Sequence, residues 1–190
     1  MATYLFVLLV SVVMLVADQE EMDLPGFKMV ALEGHEVYPF AISEARATVF
    51  IFMRTDCPIS NRYIPEIRRL HEDFRSEIAF FLVYLDEEQS SEVILKHLAD
   101  YDLSVRALRD PMHRLVALTE AEVTPEAVVF NEKRDQVYRG RIDDRFVTFG
   151  ITRPSPNQRD LREILQKILS GEEIKPRTTQ AIGCYISDLG

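Results

Sequence analysis

Two kinds of apolar pattern alternate along the chain. Ala47–Met53 (ATVFIFM) and Ile78–Leu85 (IAFFLVYL) are unbroken apolar runs. Runs of this length, rich in β-branched and aromatic residues, belong to strands covered on both faces. Residues 61–76 instead place Ile64, Ile67, Leu70 and Phe74 at helical spacing with charges between them, the pattern of a helix with one buried stripe. Pro65 lies inside that pattern and predicts a kink. Residues 90–101 predict a helix opened by Ser90 or Ser91 as N-cap, and residues 111–119 a short one. Residues 157–169 predict the last helix, with Leu161, Ile164, Leu165 and Ile168 on one face.

Shorter patterns fill the gaps. Residues 27–40 read as two short strands around Glu33-Gly34. Ala127–Phe130 reads as a strand preceded by Thr124-Pro125, and Gln136–Ile142 should pair with it as a hairpin across the polar turn Asn131–Asp135. Residues 171–190 have no period and predict an irregular tail. Two strand–helix units, then a hairpin and a helix, make an α/β domain with a central mixed sheet flanked by helices. The length of 190 residues suits one domain, here residues 25–170.

Composition adds an exclusion and an address. The net charge is −9 and no basic cluster appears, which argues against a nucleic-acid partner. Tyr4–Ala17 is apolar except for Ser11 and is followed at once by acidic residues. Fourteen residues fall short of the ~20 that span a bilayer but match a signal-peptide core. No Lys or Arg precedes the run, and Leu15 is bulky for a cleavage site after Ala17. Residues 1–17 are therefore expected to be a signal peptide or an uncleaved membrane anchor through residues 4–17. Export to a periplasmic or extracellular space would put the two cysteines in oxidising surroundings, where they can pair.

The chemistry centres on Cys57. It follows a strand pattern and precedes a helical one, so its thiol sits near a helix N-terminus. There the helix dipole and free backbone N–H groups favour a thiolate. Pro58 bars regular backbone bonding just past the thiol. Asp56 would oppose thiolate formation if its charge lies close and Arg54 could offset it; the sequence leaves both directions open. The other cysteine, Cys184, lies in the tail; a redox partner for Cys57, a permanent bridge, a free thiol and an intermolecular link all remain open for it. His35, His71, His97 and His113 show no diagnostic spacing to a cysteine, so no metal site and no cofactor are expected. Asp143-Asp144 reads as a solvated turn with local ion pairs.

Several segments together resemble thioredoxin-like proteins of the redoxin type, as found among secreted bacterial proteins. They are TVFIFMRTDCPISNRYIPEI around Cys57, the eight-residue spacing from Cys57 to Pro65, the segment DPMHRLVALTEAEVTPEAVVFN, YRGRIDD at 138–144, and Gly183-Cys184-Tyr185-Ile186. The resemblance covers roughly residues 25–170, with the tail motif beyond. It implies a thioredoxin-like fold with Cys57 as nucleophile. It makes Pro125 a cis-proline in a loop facing the thiol, and gives Thr124 the backbone that pairs with an extended substrate. Ser60 stands where a CxxC motif has its second cysteine, so CxxC cycling is not available; its bland role is to cap a backbone N–H. Cys184 is then the candidate to resolve Cys57. The implied partners are a protein or small-molecule disulfide or peroxide and a thiol reductant. The peroxidatic pattern PxxxTxxC is poorly met, with Phe50 and Arg54 at its Pro and Thr positions. A thiol-dependent redox protein is thus expected, with a non-catalytic binding or carrier module and a peroxiredoxin-like peroxidase as alternatives.

Overall fold

The computed structural model describes residues 24–186. The expectations for residues 1–17, signal peptide or anchor, lie outside them.

After a 3-10 turn at Leu24–Gly26, the chain forms β1 (Met29–Ala31) and β2 (Glu36–Val37), joined by the turn at Gly34. Then come β3 (Ala47–Met53), α1 (Pro58–Phe74), β4 (Ile78–Tyr84), α2 (Ser91–Asp100), β5 (Arg106–Arg109) and α3 (Arg114–Thr119). Next are β6 (Val123–Thr124), β7 (Glu126–Asn131) and β8 (Gln136–Gly140), followed by β9 (Phe146–Thr148) and β10 (Ile151–Thr152). The last elements are α4 (Asp160–Ser170), β11 (Arg177–Thr178) and β12 (Cys184–Tyr185).

Eight strands make the main sheet in the order β11-β8-β7-β3-β4-β5-β1-β2. β3, β4 and β5 run parallel, while β7 is antiparallel to β3 and β8 to β7. This is the expected mixed sheet. Every residue of β3 and β4 is buried, as their unbroken apolar runs require. Along β3 the side chains alternate. Val49, Ile51 and Met53 join a core built with α1 and α4 (Ile64, Ile67, Leu161, Leu165). Phe50 and Phe52 join the opposite core with Phe81, Val128, Phe130 and Leu115. A strand's period of two thus feeds two layers at once.

Several expectations are revised. α1 starts at Pro58 rather than residue 61 and runs unbroken through Pro65. α3 is confined to Arg114–Thr119, because Asp110 caps it from outside. Its carboxylate accepts the N–H groups of Arg114, Leu115 and Val116 at 2.8, 2.8 and 3.1 Å. α4 starts at Asp160 rather than 157. β5 and the β9–β10 hairpin carry no sequence pattern that announces them. β5 reads Arg-Ala-Leu-Arg, and the Arg106 guanidinium lies 4.6 Å over the Phe81 ring, using its charged end as cover for the sheet.

The tail is not irregular. β11 adds to the sheet edge, parallel to Tyr138–Arg139 of β8. Its base is held by the fully buried Asp160, which pairs with Arg177 and with Arg141, the latter at 2.7 Å. Gly140 takes a φ of +142° and touches the Thr179 carbonyl so closely that a Cβ there would collide. Asp143 and Asp144 are also buried, not solvated. Asp143 accepts the Tyr63 hydroxyl at 2.8 Å, and Asp144 accepts the N–H groups of Asn157 and Gln158 at 2.7 and 3.0 Å. Burial pushes the Asp143 carboxyl up, and the Arg145 N–H and Tyr63 hydroxyl only partly offset it. The pair works as a knot between α1 and the chain before α4.

Candidate active site

Strand β3 ends at Met53, and the turn Arg54-Thr55-Asp56 delivers Cys57 to the N-cap of α1. Cys57 has extended backbone (φ −80°, ψ 112°), and Pro58 follows at the first helical position. Proline suits that position because its missing N–H would be unpaired there anyway. The Cys57 sulfur takes the capping role usually played by a Ser or Asp oxygen: the Ser60 N–H donates to Sγ at 3.5 Å. Ser60 thus supplies its backbone, not its side chain, as the capping partner. Its buried hydroxyl lies close enough to favour the thiolate, yet it makes no well-aligned hydrogen bond.

The loop before β7 faces this thiol. Thr124-Pro125 is a cis peptide, and the Thr124 carbonyl accepts from the Cys57 thiol at 3.1 Å. Thr124 is fully buried and its hydroxyl has no partner. Glu126, also buried, fixes the loop by accepting the N–H groups of Glu122 and Val123 at 2.7 and 3.4 Å.

Cys184 arrives from the tail. β12 pairs antiparallel with β6, Cys184 opposite Thr124 and Tyr185 opposite Val123. The Cys184 thiol donates to the Cys57 sulfur at an Sγ–Sγ distance of 2.8 Å. Both cysteines are free thiols, and Cys57 is only 1% exposed.

The two thiols are electrically unequal. Burial pushes the Cys57 thiol up, but the S–H of Cys184 and the hydroxyl and N–H of Ser60 outweigh it and leave its pKa below the ordinary value. Cys184 is pushed up to about 12 by burial, by donating to Cys57 and by the neighbouring Cys57 charge, with Arg54 partly offsetting. Of the two thiols, Cys57 is therefore the one that gives up its proton first, and the Cys184 S–H is then the donor to the Cys57 sulfur. Asp56 does not stand alone beside the thiol, because Arg54 grips it in a fork at 3.1 and 2.9 Å.

A buried polar chain supports the turn from behind. Asn61, one helical turn after Cys57, donates to the Thr55 carbonyl at 2.9 Å. Its side-chain oxygen faces His97 Nε2 at 2.8 Å, and His97 Nδ1 faces the Tyr84 hydroxyl at 3.0 Å. The set is satisfied when His97 is neutral with its proton on Nε2. Burial holds the His97 pKa below its usual value, with Asp100 opposing. His113 heads α3 without a side-chain cap bond. Among the described residues no cluster of His, Cys, Asp or Glu could hold a metal ion.

The fold brings Cys57, Pro58, Ser60, Thr124, Pro125 and Cys184 together. Asn61, His97 and Tyr84 carry no site signal in the sequence beyond Asn61's position four residues after Cys57, an amide at helical spacing from the thiol.

Neither a protein-family model nor a curated protein matches the chain by sequence. Solved structures do match. An uncharacterized conserved protein of Geobacillus kaustophilus is 23% identical with a TM-score of 0.70, over 84% of this chain and 87% of that one. A thioredoxin-like protein of Aeropyrum pernix is 17% identical with a TM-score of 0.56, over 76% of this chain and 88% of that one. The fold is thioredoxin-like. A secreted Mycobacterium tuberculosis disulfide oxidoreductase homologous to E. coli DsbE is 14% identical with a TM-score of 0.54, over 77% of this chain and 96% of that one. Within this thioredoxin-like framework, the second thiol comes from the chain's tail rather than from the helix that carries the first.

Proposed function

We propose that the protein is a thiol–disulfide oxidoreductase in which Cys57 is the nucleophile and Cys184 the resolving thiol. The observation that carries this reading is the 2.8 Å approach of the two sulfurs, with the lowered pKa on Cys57 and the raised one on Cys184. The Cys57 thiolate attacks one sulfur of a partner disulfide, forms a mixed disulfide and releases the other sulfur as a thiolate. Cys184 gives up its proton to that leaving thiolate or to water and attacks the Cys57 sulfur. The partner's remaining sulfur leaves, and a Cys57–Cys184 disulfide is formed. The partner is reduced by two electrons and the protein oxidised by two; an external dithiol returns it to the starting state.

Export is part of the same proposal. It rests on the apolar run Tyr4–Ala17 and on the secreted oxidoreductase among the structural neighbours. The test is turnover with a protein or small-molecule disulfide. Cys57→Ser should abolish it, while Cys184→Ser should stop the cycle at a mixed disulfide on Cys57. Full turnover in Cys57→Ser would sink the proposal.

A further inference from the structure

The tail does more than bring a thiol. β6 has β12 as its ladder partner, and the pairing continues past the ladder, since the Ile186 N–H donates to the Glu122 carbonyl at 2.9 Å. Gly183 lies against the Thr124 carbonyl, where any Cβ would collide with backbone. Ile186 is buried in the second core, whereas Tyr185 is 56% exposed. The segment therefore has a recognition pattern of its own: no side chain before the cysteine, a free choice after it, and an aliphatic residue one further on. Its base is pinned at β11 and Gly140, and residues 180–182 between the two anchors have no regular structure. Cys57 is covered while the tail is seated.

Resting on the proposed oxidoreductase reading, we infer that Gly183–Ile186 is a built-in surrogate substrate. The β6 edge beneath it is the docking strip for an extended cysteine-bearing segment of a protein partner. That segment carries glycine before its cysteine and an aliphatic residue two positions after it. Tail and partner exclude each other, because one strip of β6 backbone serves both. The partner must lift the tail to reach Cys57, and the returning tail expels the partner's strand as Cys184 attacks the mixed disulfide.

The test uses the full-length Cys184→Ser protein, so that a mixed disulfide on Cys57 persists. The probes are heptapeptides with the sequence of residues 180–186, their cysteine joined as a mixed disulfide to thionitrobenzoate. Attack by Cys57 on the peptide sulfur releases coloured thionitrobenzoate. The parent peptide should react about tenfold faster than versions with its glycine changed to valine or its second isoleucine to aspartate, the ratio that one lost backbone pairing or one lost buried side chain produces. Adding Gly183→Val to the protein should unseat its own tail and speed the parent peptide further. Equal rates for all three peptides, matching the thionitrobenzoate disulfide of glutathione, would overturn the surrogate while leaving the oxidoreductase reading intact. No release from any reagent, glutathione's included, would overturn both.

Discussion

Cys184 stands opposite Thr124 in an antiparallel ladder, and that register is what places its sulfur against Cys57. The loop residue that faces Cys57 is therefore also the one that positions the second thiol. Two cysteines 127 positions apart become neighbours through two residues of backbone pairing.

If the Cys184 S–H stabilises the Cys57 thiolate, Cys184→Ala should raise the Cys57 pKa. The thiolate absorbance of the variant should then rise at higher pH than the lower of the two steps in the parent. The parent's upper step belongs to Cys184, near pH 12. A variant titrating no higher than the parent would show that burial and Ser60 set the Cys57 pKa without Cys184.

Gly183 has no space for a side chain against the Thr124 carbonyl. Gly183→Val should lift the tail and leave the domain folded. The effective concentration of Cys184 at Cys57 should fall by roughly tenfold or more. Equilibration with reduced and oxidised glutathione would show this as a disulfide reduced that much more readily. Far-UV circular dichroism should be unchanged.

His97 is buried neutral between Tyr84 and Asn61, and its folded pKa lies below that of the unfolded chain. The folded state then binds fewer protons than the unfolded state once the pH falls below about 6.5. Stability should be flat with respect to this group at higher pH and decline as the pH falls below the unfolded-state value. His97→Gln should shallow the decline in urea melts. His71, half-buried and also lowered by burial, leaves a residual slope.

Asp110 accepts three backbone N–H groups at the start of α3, which leads into the β6 loop. Asp110→Ala leaves those donors without their acceptor, the buried Leu115 N–H among them, and should cost about 1–3 kcal/mol in denaturant melts. Asp110→Asn, which keeps one acceptor oxygen, should cost less.

The sequence and the structure agree where a residue's role follows from its own neighbourhood. β3 and β4 are legible because a strand covered on both faces needs an unbroken apolar run. Cys57 is legible because a strand-to-helix turn puts a thiol at a helix N-terminus. β12 is not legible: its two residues take their conformation from the β6 ladder, and nothing periodic marks them. The same holds for Asp143-Asp144, whose burial depends on Tyr63 from α1 and on the chain before α4. The Tyr84–His97–Asn61 chain draws on three elements far apart in sequence, so no local pattern could assemble it. Pro65 lies inside α1, whose buried stripe continues on both sides of it through Ile64 and Ile67.

In the proposed cycle Cys57 and Cys184 form one redox pair. The most direct measurement is the mass of the reduced protein after brief treatment with oxidised glutathione, followed by alkylation of any remaining thiols and peptide mapping. A protein lighter by two hydrogens, unalkylated, with a single peptide pair joining Cys57 to Cys184, is the expected result. Two alkylated cysteines, or glutathione held stably on Cys57 with Cys184 alkylated, would refute the claim.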